Sequence, residues 1–213
     1  AASDVYKRQY YMFNKPSGCV TAKRDENFMS VMDYFPLQMK KDFHPIGRLD
    51  KDTKGLLIIT NNGKLTHFLA EPKYHVPKKY YFMALGTLDS EKIETVENGI
   101  YLKGSSVLTK PAKIEVCETD ILENRENMLC ENERAGYMKN PKCPIVLGYI
   151  TITEGKNHQV KRMLKSVKCH VVYLKRIEMG RIKLDSTLKE GYYKELFLSD
   201  MEKIIPEEYK EIL

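Results

Sequence analysis

Residues 44–63, HPIGRLDKDTKGLLIITNNG, set Arg48, Asp50, Lys51, Asp52 and Lys54 directly before the aliphatic run Leu56–Ile59 and end in Asn61-Asn62-Gly63. An apolar run of this length, bounded by charge on one side and by turn formers on the other, predicts a strand buried on both faces. Asn62-Gly63 is expected to close it in a tight turn, because both residues tolerate positive φ at low cost. A carboxylate at the mouth of such a strand, ringed by cations, is either a structural ion pair or a reactive group held ionised.

The elements on either side set this strand in an α+β fold. Tyr10–Phe13 predicts a strand stopped by Pro16 and a Gly18 turn, and FMSVMDYFP (28–36) an amphipathic helix with Ser30 as its cap and Pro36 as its stop. KLTHFLAEP (64–72) predicts a short helix ending before its proline. KKYYFMALG (78–86) and KPAKIEVCE (110–118) are strands, with a helix at 90–99 between them that ends at Gly99. Residues 118–144 are polar and aperiodic and are expected to form a surface insertion. IVLGYITITEG (145–155) resumes as strand. NHQVKRMLKSV (157–167) is the clearest helix, with Val160, Met163, Leu164 and Val167 on one face and Lys161, Lys165 and Lys168 on another. A strand over 170–184 and a terminal helical segment broken near Pro206 complete the chain. Strands outnumber helices without regular alternation, so a largely antiparallel, mixed sheet with flanking helices is expected.

The chain has 213 residues, enough for one large domain or two small lobes. Lys and Arg number 35 against 29 Asp and Glu, a net charge of +6 that suits a polyanionic partner without specifying one. Five cysteines are scattered and odd in number, and Cys130 and Cys143 have no nearby His, so neither a disulfide framework nor a metal site is indicated. No apolar stretch is long enough to span a bilayer and no signal core is evident, which leads to an expectation of a cytoplasmic protein. Residues 1–9 show no periodicity that joins the fold and are expected to be an artefact of the sequence start. The expected domain therefore runs over 10–213.

Asp50 and Asp52 invite three chemical readings. A calcium loop fails, because Lys54 and Asn61 stand where ligands are required. A paired-carboxylate glycosidase is permitted by the i, i+2 spacing, since both side chains share one side of an extended chain, yet nothing nearby marks a sugar cleft. From the charge pattern alone a surface ion pair of Asp50 with Arg48 or Lys51 is favoured. The positive charge around the 157–168 helix suits phosphates, though such a stripe is equally a solvated face. Lys78 and Lys79 before Tyr80 and Tyr81 suit an unstacked base over a neutralised backbone, or simply one tyrosine inward and one outward.

Taken together, FNKPSG (13–18), GRLDKDTKGLLIITNNG (47–63) with KKYYF (78–82), and ITEGKNHQVKRML (152–164) resemble, in order and spacing, the motifs of the RsuA family of ribosomal RNA pseudouridine synthases. LTKPAKIEV (108–116) and LKEGYYKEL (188–196) extend the resemblance over about residues 10 to 200. It implies the pseudouridine synthase fold with a central catalytic cleft. The implied reaction cuts the bond between N1 and C1′ of a uridine, turns the base and rejoins it through C5, without cofactor or metal. Carried over by motif, Asp50 is the catalytic carboxylate, acting as nucleophile or as base toward a sugar proton. Tyr80 is the ring that stacks on the target base, and Lys161 is the cation that keeps Asp50 ionised; relatives often have Arg there. Arg48 is expected to fill the gap left by the extruded base or grip its flanking phosphate. Asn14, Lys15, Lys78, Lys156, His158, Gln159, Arg162 and Lys165 are expected to contact RNA, and Asp52 and Thr53 to brace the catalytic loop.

The resemblance implies ribosomal RNA or an assembling ribosomal subunit as partner, no membrane, and a monomer. HQVKRM and LTKPA tilt toward the small-subunit branch over the large-subunit enzymes. A noncatalytic ribosome-assembly factor of the same fold is the alternative of a different class. The small N-terminal RNA-binding module that many members carry is expected to be absent.

Overall fold

The computed structural model describes residues 7–70, 74, 76–205 and 207–213. The chain divides into two compact units, Ala1–Val76 with Glu178–Leu213, and Pro77–Ile177.

In the first unit, β3 (Lys54–Thr60) is the buried strand that its composition predicts, with every residue from Gly55 to Thr60 buried. It pairs antiparallel with β1 (Tyr10–Lys15) on one side, and β2 (His44–Ile46) also pairs with it antiparallel. β9 (Tyr193–Leu196) adds to the far edge of β1, again antiparallel. The continuous apolar run is explained by two different cores. Leu56 and Ile58 face a cluster with Met12, Leu65, Phe68, Ile182, Met201 and Ile204. Leu57 and Ile59 lie opposite Phe13 and Tyr11, whose rings pack with Phe35, Phe43 and Tyr193, the last stacked on Phe35 at 4.2 Å.

Two local expectations fail here. Asn62-Gly63 makes no positive-φ turn: Asn62 Oδ1 accepts the Leu65 amide at 3.2 Å and so starts α1 (Gly63–Ala70), the predicted helix. Residues 28–36 form only one short 3₁₀ turn, Val31–Tyr34, although Ser30 caps it as predicted and Asp33 completes a capping box. Its two buried residues, Val31 and Met32, are too few to anchor a longer amphipathic helix, and Pro36 bars its extension. Residues 1–6 of the nonapeptide lie outside the described residues. Further along, Asn61 Nδ2 donates to Lys7 O at 3.1 Å, Gln9 N donates to Asn61 Oδ1 at 2.9 Å, and Thr60 Oγ1 donates to Gln9 O at 2.7 Å.

In the second unit, β4 (Lys78–Leu85) and β5 (Lys113–Ile121) flank β6 (Pro144–Ile152) in antiparallel ladders, and β7 (His170–Met179) lies beyond β4. β5 carries an irregularity between Val116 and Glu118 where it passes Gly148. A Cβ at Gly148 would stand 2.5 Å from Glu115 O, so the close approach of these strands requires glycine. α2 (Ser90–Glu97) is capped by Asp89, whose side chain accepts the Lys92 amide, and α4 (Gln159–Ser166) buries Val160, Met163 and Leu164 as predicted. At its far end β7 turns through Gly180, at φ +59°, into the two-residue β8 (Ile182–Lys183) of the first unit. The terminal helical segment is α5 (Leu198–Met201) followed by a 3₁₀ turn, Glu207–Ile212; Pro206 lies outside the described residues.

Residues 118–144, expected to be a surface insertion, contain regular elements of their own. β5 runs on to Ile121, a 3₁₀ segment covers Leu122–Met128, and α3 spans Glu131–Tyr137. Leu122 and Leu129 are buried against Met83, Ile145 and Leu147, giving the segment its own hydrophobic anchor. Two leucines seven residues apart in polar text leave no period for a sequence reading to detect.

Candidate active site

The turn that carries Asp50 is fixed from both flanks. On the N-terminal side Thr21 Oγ1 meets both polar groups of Leu49, donating to its carbonyl at 2.8 Å and accepting its amide at 3.1 Å. On the C-terminal side Thr53 N donates to Asp50 O at 3.0 Å, closing a turn, and Gly18 N donates to Lys51 O at 2.9 Å. Beneath the turn sits Lys15, wholly buried, its Nζ donating to Pro16 O at 3.0 Å, Lys51 O at 3.1 Å and Thr53 O at 2.8 Å. Buried Leu49 anchors the loop in the core, while Asp50 is half-buried and Arg48 is exposed. Asp50 thus stands half-buried on a backbone whose neighbours at 49, 51 and 53 are fixed by hydrogen bonds.

Lys15 and Asn14, both expected to contact RNA, are buried and hydrogen-bonded within the protein. Lys15 spends its ammonium on loop carbonyls, the usual way to bury a cation without an unmet donor. Asn14 is buried in β1, where Nδ2 donates to Leu188 O at 2.7 Å and its backbone pairs with Gly191 and Tyr192, fixing residues 188–192. The cue for Lys15 was its position at the end of a buried strand just before Pro16, where a side chain continues inward.

The second unit carries the aromatic and basic groups. On β4, Tyr80 is buried opposite Ile150, and Tyr81, opposite Tyr149, packs its ring 5.4 Å from Tyr149 and 6.2 Å from Tyr173. Burial pushes the Tyr81 hydroxyl up. Lys79 pairs with Glu115 at 3.2 Å and lies 4.6 Å over the Tyr149 ring. Burial, and then the positive charge of Arg176 on β7, pull Lys78 down to about 8. Arg176 is itself fully buried, a cation that sequence reasoning passed over because it lies in an apparently ordinary strand.

The basic motif at 154–165 proves to be partly a scaffold. Glu154 is buried and accepts the Lys110 amide at 2.9 Å and Gln159 Nε2 at 2.7 Å, while Gln159 Oε1 accepts the Lys156 amide at 2.8 Å. Gln159, expected to touch RNA, is thus an internal brace for the start of α4. Lys156 Nζ donates to Leu108 O at 3.2 Å and pairs with Glu154 at 3.6 Å. Arg162 Nη2 donates to Lys103 O at 2.6 Å, and its Nη1 to Asn157 O at 3.3 Å. His158 and Lys165 are exposed, Lys161 is half-buried, and His158 takes the left-handed conformation at φ 49° to lead into α4. Glu154 is the group here that sequence reasoning missed, although it stands inside the quoted motif. Among the described residues no group of three or more His, Cys, Asp or Glu is arranged to hold a metal, and no helix is long and apolar enough to cross a membrane.

The Asp50 turn thus belongs to the first unit, and the aromatic and basic groups at 78–81 and 154–165 to the second. Residues 9–166 match the family model of RNA pseudouridylate synthase, and the chain belongs to that family, as its motifs indicate. It is 42% identical over 188 residues to a Bacillus subtilis (strain 168) protein named uncharacterized RNA pseudouridine synthase YtzG, covering 88% of this chain and 69% of that one. It is 33% identical over 201 residues to the ribosomal small subunit pseudouridine synthase A of Haemophilus influenzae, covering 94% and 75%. A crystal structure of a pseudouridylate synthase superposes with a TM-score of 0.77 at 31% identity, over 95% of this chain and 76% of that one. The chain is a pseudouridine synthase of the RsuA group.

Proposed function

We propose that this enzyme converts a uridine of small-subunit ribosomal RNA to pseudouridine, acting in the cytoplasm as a monomer on that RNA or on the assembling subunit. The substrate follows from relatives named ribosomal small subunit pseudouridine synthase A, such as those of Haemophilus influenzae and Escherichia coli, at 33% and 30% identity. In the reaction the N1–C1′ bond breaks and a C5–C1′ bond forms, C5 loses its proton and N1 gains one. Asp50 is assigned as the catalytic carboxylate, either attacking the sugar or removing a sugar proton. Tyr80 is assigned to the target base and Lys161 to the charge of Asp50. Arg48, His158 and Lys165 are assigned to the RNA on their exposure, and Lys78, Lys156 and Arg162 as weaker, half-buried contributors.

One observation carries the assignment of Asp50: its loop is clamped on both sides by Thr21 and Lys15. Asp52, two residues on, is exposed. The test incubates wild-type and Asp50→Asn protein with small-subunit ribosomal RNA and with assembling subunits, then maps pseudouridine by carbodiimide adducts and primer extension. Wild type is expected to add a stop that Asp50→Asn, at equal RNA affinity, does not. Turnover by Asp50→Asn at wild-type speed overturns the assignment, and a stop only in large-subunit RNA overturns the substrate.

A further inference from the structure

Residues 100–110 of the second unit form a tight loop that the chemistry above leaves unused. Tyr101 and Leu108 bridge across it, Thr109 N donates to Ile100 O at 3.0 Å, and Ile100 N donates to Thr109 Oγ1 at 2.9 Å. Gly99, at φ +90°, brings the backbone so near that a Cβ would stand 2.4 Å from Thr109 O. Ile100, Leu102 and Thr109 are buried and hold the base of the loop. Its tip is the opposite: Tyr101 is 67% exposed, Val107 63% and Leu108 42%.

The loop is also tied to the start of α4. Arg162 and Lys156, the cations that the motif assigns to RNA, also reach the carbonyls of Lys103 and Leu108. A carbonyl satisfies a donor without cancelling its charge, so the guanidinium of Arg162 keeps a positive field under the tip. Glu154 offsets Lys156 in part. Lys103 is exposed on the loop itself, and Lys165 is exposed one turn beyond Arg162 on α4. An exposed ring and two aliphatic side chains on a rigid tip, bordered by Lys103 and Arg162, have the makeup of a stacking platform beside a phosphate track. A protein-binding face of this size would be expected to carry fewer lysines around its apolar centre.

We propose that the 100–110 loop is an RNA-contact surface, where Tyr101 stacks on an unpaired base and Lys103 and Arg162 hold the adjoining phosphates. The inference deepens the reading of this chain as an RNA-modifying enzyme and rests on it. Because the loop is already ordered by its own hydrogen bonds, stacking there carries little cost in ordering.

The test measures fluorescence anisotropy of a fluorescein-labelled oligouridine of about a dozen nucleotides, a length suited to such platforms, with the full chain. Tyr101→Ala is expected to weaken binding roughly tenfold and Tyr101→Phe by less than about twofold, since either ring stacks. Neither is expected to change the slope of log Kd against log salt, whereas Lys103→Ala should reduce it by about one. With ribosomal RNA as substrate, Tyr101→Ala should raise KM and leave kcat unchanged. Urea unfolding should match wild type, because the removed ring is exposed. Unchanged RNA affinity in Tyr101→Ala overturns the proposal and leaves the tip as a face for another protein. If the wild type forms no pseudouridine on any RNA while Tyr101→Ala still binds more weakly, the activity assignment fails and this surface stands.

Discussion

Replacing Lys15 by Met tests whether the buried ammonium organises the Asp50 turn. Methionine fills a similar volume, so little cavity arises; what disappears is the donor shared by Pro16 O, Lys51 O and Thr53 O. Lys51 O keeps the Gly18 amide and Pro16 O keeps the Cys19 thiol at 3.6 Å, but Thr53 O loses a buried partner. An acceptor left unmet in the interior costs about 1 to 3 kcal/mol, and the two weakened ones add to it, giving about 2 to 4 kcal/mol. With an urea dependence of roughly 2 to 3 kcal/mol per molar, the unfolding midpoint should drop by about 1 M. Activity should drop further than stability does. A turn released by even ~1 Å can lose on the order of a hundredfold in rate, so kcat should fall by at least about tenfold under conditions where the variant is fully folded, with KM nearly unchanged. The assays are urea unfolding followed by circular dichroism and pseudouridine formation at saturating RNA. A midpoint within about 0.2 M of wild type, together with an unaltered kcat, would refute the brace.

Two further outcomes follow from the second unit. Lys78 titrates near 8 in the fold, below its unfolded range, so the native state releases that proton first. Between about pH 8 and 10.5 the unfolded chain then binds more protons, and stability should rise with pH by up to ~1.4 kcal/mol per unit from this group. Lys78→Met should remove that rise and stabilise the protein at neutral pH, an advantage that shrinks as the pH approaches 10.5 in a series of urea titrations. Leu122→Ala should cost about 2 to 5 kcal/mol, the ordinary penalty for emptying a core site, which is measurable by thermal or urea unfolding. A truly peripheral insertion would show a change within about 0.5 kcal/mol instead.

Much of the scaffold could be read before any coordinates, and the reasons are specific. β3 announces itself because both of its faces are covered, so Leu56–Ile59 needs no alternation. α4 shows a clean helical period because one side is core and the other water. The reading went astray where a residue type serves two purposes. Asn62 suits a turn and a helix cap equally, and only the amide of Leu65 decides between them. In a basic sequence lysine and arginine read as groups that face a polyanion, yet Lys15, Lys156 and Arg162 each reach main-chain carbonyls, and carbonyls have no sequence signature. Residues 118–144 hid their anchoring because two leucines suffice to fasten the segment, and two residues make no pattern.

The grip of Lys15 on the Asp50 loop has a consequence for how this enzyme can drift. Its ammonium reads oxygen atoms that every amino acid supplies in the same place, so the hold on position 51 is indifferent to which side chain stands there. The solvent-facing half of the turn is thereby free to be rewritten, to suit a differently shaped RNA, while the neighbouring carboxylate stays where it is.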